Sequence, residues 1–368
     1  MISSDASRND AGCSSHRDIP VAVLGATGAV GQRFIQLLEN HPWFRVVAVA
    51  ASEKSCGRRY ADACSWKLAT PIPPAVADLP VTPLDPARVS DYVQLVFSAL
   101  PSDVAREVEP VFAEAGMAVS SNASAFRGEP DVPVLLADVN ADHVRLLEIQ
   151  RERRGWKGVL ITNPNCTTSG IALVLKPLHD AFGVQSVMAT SMQAISGAGY
   201  PGVPSFDILG SIVPWISGEE EKIEHESNLL LGSIDEGWQA PAGIAISAHA
   251  NRVPVLDGHT VCLSIGFSNR GVEPGDVARA LAAFADRGET AELPSAPRPP
   301  IRVLIERDRP QPRLDCSNAS GMQIAVGRIR TCNLLDIRLV LAVHNTIRGA
   351  AGGSILNAEL LVHEGWVS

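Results

Sequence analysis

Apolar and polar positions follow two regimes along the chain. Residues 19–24 form a short apolar run that stops at Gly25-Ala26-Thr27-Gly28-Ala29-Val30-Gly31; Val30, Phe34, Leu37 and Leu38 then recur at helical spacing. Residues 44–50 make a second apolar run, completing a strand–helix–strand unit. Residues 95–100 and 118–120 predict further strands, with an Ala-rich helix over 104–115 between them. Strands alternating with helices imply an α/β domain, a parallel sheet covered on its faces.

Residues 158–161 are apolar again and lead through Asn163-Pro164-Asn165-Cys166 into an apolar helical pattern over 171–178. Beyond this point the pattern changes. Residues 187–194 are apolar and end in Ser196-Gly197-Ala198-Gly199, and 261–267, 302–306, 323–330 and 334–343 predict strands. Residues 276–285 predict a helix with Val277, Leu281 and Phe284 on one face. Several strands with one or two helices predict an α+β second domain built on a mixed sheet. The Pro-rich stretch 294–300 reads as a surface loop of that domain. The Ala/Gly/Leu-rich stretch 346–362 reads as a helix that packs back on the first domain.

A length of 368 residues accommodates two such domains. The boundaries follow as a disordered Ser/Asp/Asn-rich tail over 1–18, a Rossmann-type dinucleotide-binding domain over 19–162 together with the C-terminal helix 345–368, and a second domain over 163–344. A net charge of −9 argues against nucleic acid or an anionic membrane as partner, but leaves room for an anionic small substrate held by local Arg and Lys. Seven cysteines, an odd set without a C-x-x-C pair, point to free thiols in a reducing cytoplasm, with neither a disulfide framework nor a metal site. No segment has the length and apolarity of a membrane span, and the first eighteen residues lack the apolar core of a signal peptide. The expected location is the cytoplasm.

The candidate chemistry has two parts. The glycine loop between the first strand and helix suits a dinucleotide: glycines let backbone approach a pyrophosphate, and a helix N-terminus offers amides and positive charge. Gly25, Ala26, Thr27, Gly28, Ala29 and Val30 are its candidate contacts. The second strand ends in Ala50-Ala51-Ser52-Glu53-Lys54-Ser55. Ser52 and Ser55 can donate to a 2′-phosphate and Lys54 can offset its charge, so NADP(H) is preferred over NAD, against the presence of Glu53.

The second part is Cys166. A strand-to-helix turn places its thiol near a helix N-terminus, where the backbone dipole favours thiolate. Asn165 offers an amide donor for a developing oxyanion. A thiolate mechanism also needs an acid/base partner. His259 is attractive because Arg252-Val253-Pro254-Val255-Leu256-Asp257-Gly258-His259 turns an Arg and a His toward one cleft, while His249 and His344 remain rivals. Glu219-Glu220-Glu221-Lys222 opens an amphipathic helix with an acidic first turn, and Arg127 taken alone is a surface charge.

These motifs, together with Ser98–Pro101, Ser124–Arg127, Gln193–Gly199 and His344–Gly353, make the chain resemble the aspartate-β-semialdehyde dehydrogenase family over nearly its whole length, in the form of its archaeal and fungal branch. The resemblance implies NADPH-dependent reductive dephosphorylation of L-4-aspartyl phosphate to L-aspartate 4-semialdehyde in aspartate-family amino-acid biosynthesis. It implies Cys166 as nucleophile, His259 as acid/base and Gln193 as the residue orienting the acyl group. Arg252 would hold the substrate carboxylate and Glu219 its amino group, with Arg127, Asn165 and Lys222 at the phosphate. Ser196, Gly197, Gly199 and Asn345 would lie near the nicotinamide. It also implies that residues 163–344 are the catalytic and dimerisation domain of a homodimer or homotetramer. A paralogous acyl reductase acting on malonyl-CoA or N-acetyl-glutamyl phosphate is the competing expectation.

Overall fold

The computed structural model describes residues 17–89, 91–284 and 289–368. Six strands, β1 (Ile19–Leu24), β2 (Phe44–Ala50), β3 (Val81–Thr82), β4 (Leu95–Ser98), β5 (Ala118–Ser121) and β6 (Val159–Thr162), make the first sheet. Its order is β3-β2-β1-β4-β5-β6 with every pairing parallel. Both faces are covered, which explains the unbroken apolar character of β1. Val21 and Val23 face a core shared with Phe34 and with Ile355 and Leu356 of the C-terminal helix (Gly352–His363). Ala22 and Leu24 face the opposite core, with Ala105 and Phe112 of the helix Ser102–Glu114.

The glycine loop leads into the helix Ala29–Leu37. Gly25 sits at φ +72°, and a Cβ there would lie 2.6 Å from the Ala99 carbonyl oxygen, so only glycine lets β1 and β4 end side by side. No side chain caps the helix at Gly28, which leaves its first amides to whatever binds the loop.

Eight further strands lie among the described residues. A small hairpin joins β8 (Ser233–Asp235) to β9 (Trp238–Ala240). The second sheet comprises β7 (Val184–Gln193), β10 (Ala245–Arg252), β11 (His259–Phe267), β12 (Ile301–Val303), β13 (Ile324–Thr331) and β14 (Ile337–Val343), ordered β10-β7-β11-β14-β13-β12. It is mixed as expected: β10 runs parallel to β7 and β12 to β13, and the other pairs are antiparallel. Apolar residues of the helices Cys166–Phe182, Glu219–Leu230 and Pro274–Ala283 cover one face. The other face carries exposed Met188 and Cys262.

Several expectations shift. The strand expected over 302–306 is only Ile301–Val303, and the one over 334–343 starts at Ile337 because residues 332–336 form the turn closing β13 on β14. Strand β10 has no counterpart in the sequence reading, since its outward positions, Ser247 and His249 among them, dilute the apolar signal. The stretch 294–300 is no free surface loop of the second domain. Ser295 donates from its amide and hydroxyl to buried Glu359 of the C-terminal helix, and His41 meets the same carboxylate at 2.8 Å. Positions 1–16 of the expected tail and Ala285 of the expected helix lie outside the described residues. Arg17 and Asp18 are anchored, Arg17 over the Trp43 ring and Asp18 on Arg45 at 2.7 Å. No described helix is long and apolar enough to cross a membrane.

Candidate active site

The ends of three neighbouring strands meet the start of one helix. Gln193 ends β7, Arg252 ends β10 directly opposite it, and His259 begins β11 on the other side of β7. Because β11 runs against β7, its first residue and the last residues of β7 and β10 share one edge. The loop 253–258 spans only the gap between β10 and β11, so Arg252 and His259 arrive together despite their odd spacing.

Cys166 opens its helix immediately after β6, and Asn165 is the N-cap: its Oδ1 accepts from the Thr167 and Thr168 amides at 2.9 and 3.3 Å. The Cys166 Sγ lies 3.2 Å from Nε2 of His259. Of the rival histidines, His249 is exposed on β10 and His344 is buried beyond His259. Residues 347–351 form a π-turn ahead of the C-terminal helix and lay Gly349 on the nucleophile; a Cβ at Gly349 would lie 2.7 Å from that of Cys166. Asn163 Nδ2 donates to the Gly349 carbonyl at 3.4 Å and to Asn122 Oδ1 at 3.2 Å.

The electrostatics overturn one expectation. Burial pushes the Cys166 thiol up to about 12, with the Glu219 carboxylate acting the same way; Arg127 and Arg252 oppose. Burial thus opposes the helix N-terminus and favours the thiol form. Burial likewise pulls His259 down to about 3, helped by Arg252 and His344. His259 Nδ1 accepts from the Ala194 amide at 3.0 Å, so the ring is neutral with its hydrogen on Nε2.

Asn165 also departs from its expected part. Its Nδ2 donates to both oxygens of Glu219, at 3.0 and 2.9 Å, and is spent before any oxyanion could form. Glu219 further accepts from Gln193 Nε2 at 3.1 Å and Lys222 Nζ at 3.0 Å. Burial pushes Glu219 upward, but Lys222, Asn165 and Gln193 outweigh it and its pKa falls below the ordinary carboxylate value. Arg252 is buried, and its Nη1 donates to the Ala194 carbonyl at 2.8 Å.

Arg127 is no surface charge. It is buried on the loop after β5, donating to the Asn122 carbonyl at 2.9 Å and to Glu226 at 3.0 Å. Its Nε and the Nδ2 of Asn122 are buried without a partner, and two such donors on one loop suit an anionic ligand. Glu226 was missed by the sequence reading. It stands seven residues after Glu219 and four after Lys222, on the same helix face, and that spacing was the available signal.

The remaining candidates belong to the cofactor side. Gly25, Ala26, Thr27, Gly28, Ala29 and Val30 line the turn from β1 into its helix. Ser52 is exposed and Ser55 half-buried in the turn after β2. Ser196, Gly197 and Gly199 form the loop after β7, where the Ser196 hydroxyl accepts from Asn345 at 2.8 Å. Asn345 Oδ1 accepts from the Gly258 amide at 2.9 Å, tying this loop to the turn before His259.

Comparison with known proteins agrees with this layout. Residues 20–147 match the semialdehyde dehydrogenase NAD binding domain, and residues 175–348 match the semialdehyde dehydrogenase dimerisation domain. The chain is 49% identical over 345 residues to the aspartate-semialdehyde dehydrogenase of Methanothermobacter thermautotrophicus, covering 93% of this chain and 99% of that protein. It is 45% identical over 352 residues to the Schizosaccharomyces pombe protein of the same name, covering 94% and 98%. The crystal structure of the Candida albicans aspartate semialdehyde dehydrogenase with NADP superposes with a TM-score of 0.87 at 43% identity, covering 95% of this chain and 99% of that one.

Proposed function

The chain belongs to the aspartate-semialdehyde dehydrogenase family, and on that premise we propose how its residues divide the work of the reaction. The activity is NADPH-dependent reductive dephosphorylation of L-4-aspartyl phosphate to L-aspartate 4-semialdehyde. The observation that carries the mechanism is the Cys166–His259 contact of 3.2 Å, enclosed by Gln193, Arg252 and Glu219.

Cys166 attacks the acyl carbon: the S–H bond breaks and its proton passes to an oxygen of the phosphate, a C–S bond forms, the C–O bond to phosphate breaks, and phosphate departs with that bond's electron pair. The resulting thioester divides one difficult substitution into two easier steps. Arg252 holds the α-carboxylate through the N–H groups left free by its bond to Ala194, a task that suits a planar guanidinium. Glu219 accepts the ammonium. Three side chains already make four hydrogen bonds to that carboxylate, so the ammonium displaces one of them, and half-exposed Lys222 is the partner best able to swing aside toward the phosphate. Arg127 meets the phosphate with the donors it has not spent. Gln193 orients the acyl oxygen.

The uncapped helix start after Gly28 fits a dinucleotide pyrophosphate, with Gly25–Gly31 around it, Ser52 and Ser55 at the 2′-phosphate, and Ser196, Gly197, Gly199 and Asn345 toward the nicotinamide. When bound, NADPH supplies the hydride that brings the thioester to the oxidation level of an aldehyde. His259 holds its Nε2 hydrogen toward Sγ and stabilises the sulfur as the C–S bond breaks.

The dimerisation-domain match supports self-association, and we read the smallest unit as a homodimer, with a homotetramer as a pair of dimers. Exposed Phe206, Leu209, Ile212 and Trp215 form an apolar surface that a second copy would cover, and the open face of the second sheet, with exposed Met188, is a further surface for it. The six described cysteines are free, which supports a reducing cytoplasm.

Steady-state assays test the reading. Oxidation of aspartate semialdehyde that requires both phosphate and NADP is the expected result. CoA-dependent oxidation of malonate semialdehyde in its place would overturn it.

A further inference from the structure

We infer that Glu226 is a positioning residue that couples the anion-binding arginine, Arg127, to the turn carrying Cys166; this rests on the proposed function for its substrate but not for its geometry. Glu226 is buried on the helix Glu219–Leu230. One carboxylate oxygen accepts from Arg127 at 3.0 Å, and the other accepts from the backbone amide of Asn165 at 2.5 Å. Arg127 comes from the loop after β5 in the first sheet, whereas Asn165 is the cap of the cysteine helix. A single side chain therefore sets the distance between the group that receives phosphate and the group that attacks.

The same helix holds Asn165 twice. Glu219 takes its side-chain amide and Glu226 its main-chain amide, so the residue before the nucleophile is gripped from both ends. Burial makes the Glu226 contacts matter. A buried Arg127 without a carboxylate would be an uncompensated charge, and the Asn165 amide would lose its acceptor. Glutamine at this position keeps the volume but can accept at one end only. Its amide would then present hydrogens to Arg127 or to Asn165, both of which are donors. Aspartate keeps both acceptors on a shorter stem.

The test uses the full chain with Glu226→Gln and Glu226→Asp, read by oxidation of aspartate semialdehyde with NADP and phosphate, and separately by alkylation of Cys166 with iodoacetamide. For Glu226→Gln we expect KM for phosphate to rise about tenfold or more and the alkylation rate at fixed pH to change several-fold, while KM for NADP stays within about twofold of the parent value. Glu226→Asp should recover part of both effects. An unchanged phosphate KM with unchanged alkylation in a folded Glu226→Gln overturns the inference, as does an equal rise in the KM of every substrate. If that variant does not fold, Glu226→Asp decides: parent values of both quantities despite the shortened stem overturn the coupling, and a partial shift in both upholds it. A parent enzyme without phosphate-dependent activity would instead overturn the proposed function, and the alkylation comparison would still decide for or against Glu226.

Discussion

The backbone N–H of Ala194 points at Nδ1 of His259 across 3.0 Å, and that hydrogen bond decides which ring nitrogen carries the hydrogen. A protonated ring would set one N–H against another there, so the neutral form with hydrogen on Nε2 is favoured, in line with the pKa of about 3. In the resting enzyme His259 thus donates toward Sγ and holds no lone pair for the thiol proton. Nitrogen-detected NMR of the ligand-free protein should show His259 as the neutral Nε2–H tautomer throughout pH 5 to 8 (on the order of the histidine range). A positively charged His259 at neutral pH would falsify this tautomer assignment.

Acid stability follows from the same burial. His259 falls to about 3 and His344 to about 4, each through burial first; Arg33 lowers His344 further and Asp257 opposes. The unfolded chain takes up protons on both residues near their ordinary value of about 6.5, while the folded chain resists until far lower pH. The unfolded state therefore binds more protons in this interval. Stability from these two residues is fully present above about 6.5 and is lost as pH falls toward 4 and then 3. Urea midpoints measured from pH 7.5 down to 4.5 should decline, and His344→Gln should flatten the decline. A flat profile in the parent protein would reject the account.

Cys166 reports on its own protonation. With a thiol near 12, the alkylation rate of the ligand-free enzyme should climb steadily through pH 9 without a plateau. A plateau below pH 8, as a preformed thiolate gives, would contradict the resting thiol. Cys166→Ser should lower turnover by about a thousandfold or more, because a hydroxyl is scarcely ionised and a poorer nucleophile.

Gly349 is a steric prediction. Added to this backbone, a Cβ falls 2.7 Å from the Cys166 Cβ and 2.8 Å from its Cα, and neither neighbour is the end of a flexible chain. Gly349→Ala should displace the nucleophile turn and cost about a hundredfold in kcat/KM, a displacement of the order that misplaces a reacting group. Since the π-turn packs against the helices Ala29–Leu37 and Cys166–Phe182, the melting temperature should fall as well. Near-parent activity in Gly349→Ala would mean that the turn is more pliable than its packing suggests.

The sequence made five of the six strands of the first sheet legible because they are buried on both faces and leave largely apolar runs, whereas the two residues of β3 are too few to leave a pattern. Strand β10 was not legible, because only every second residue is buried and the outward ones are small or polar. For the site, Cys166, His259 and Arg252 could be placed by turn chemistry and motif, and the structure brings all three together. What stayed hidden were hydrogen bonds over long sequence distances. Asn165 reads as a free amide until Glu219 is seen to occupy it, and Arg127 reads as a surface charge until Glu226 is found behind it. Burial also pushes the Cys166 thiol upward against the pull of the helix start, and no local pattern records how much protein closes over that position.

Cofactor preference is the remaining expectation that single residues can test. Strand β2 ends beside β1, and the turn after it carries exposed Ser52, Glu53 and Lys54, with Ser55 half-buried. Two hydroxyls and one ammonium favour a 2′-phosphate, whereas Glu53 disfavours it by like charge. If Ser52, Lys54 and Ser55 dominate, a Ser52→Ala/Lys54→Ala/Ser55→Ala variant loses charge-assisted contacts to the phosphate alone. KM for NADPH should then rise about tenfold or more, while KM for NADH changes less than about twofold. Glu53→Gln should move the other way and tighten NADPH. Equal loss with both cofactors would show that the turn serves the fold and not the choice of nucleotide.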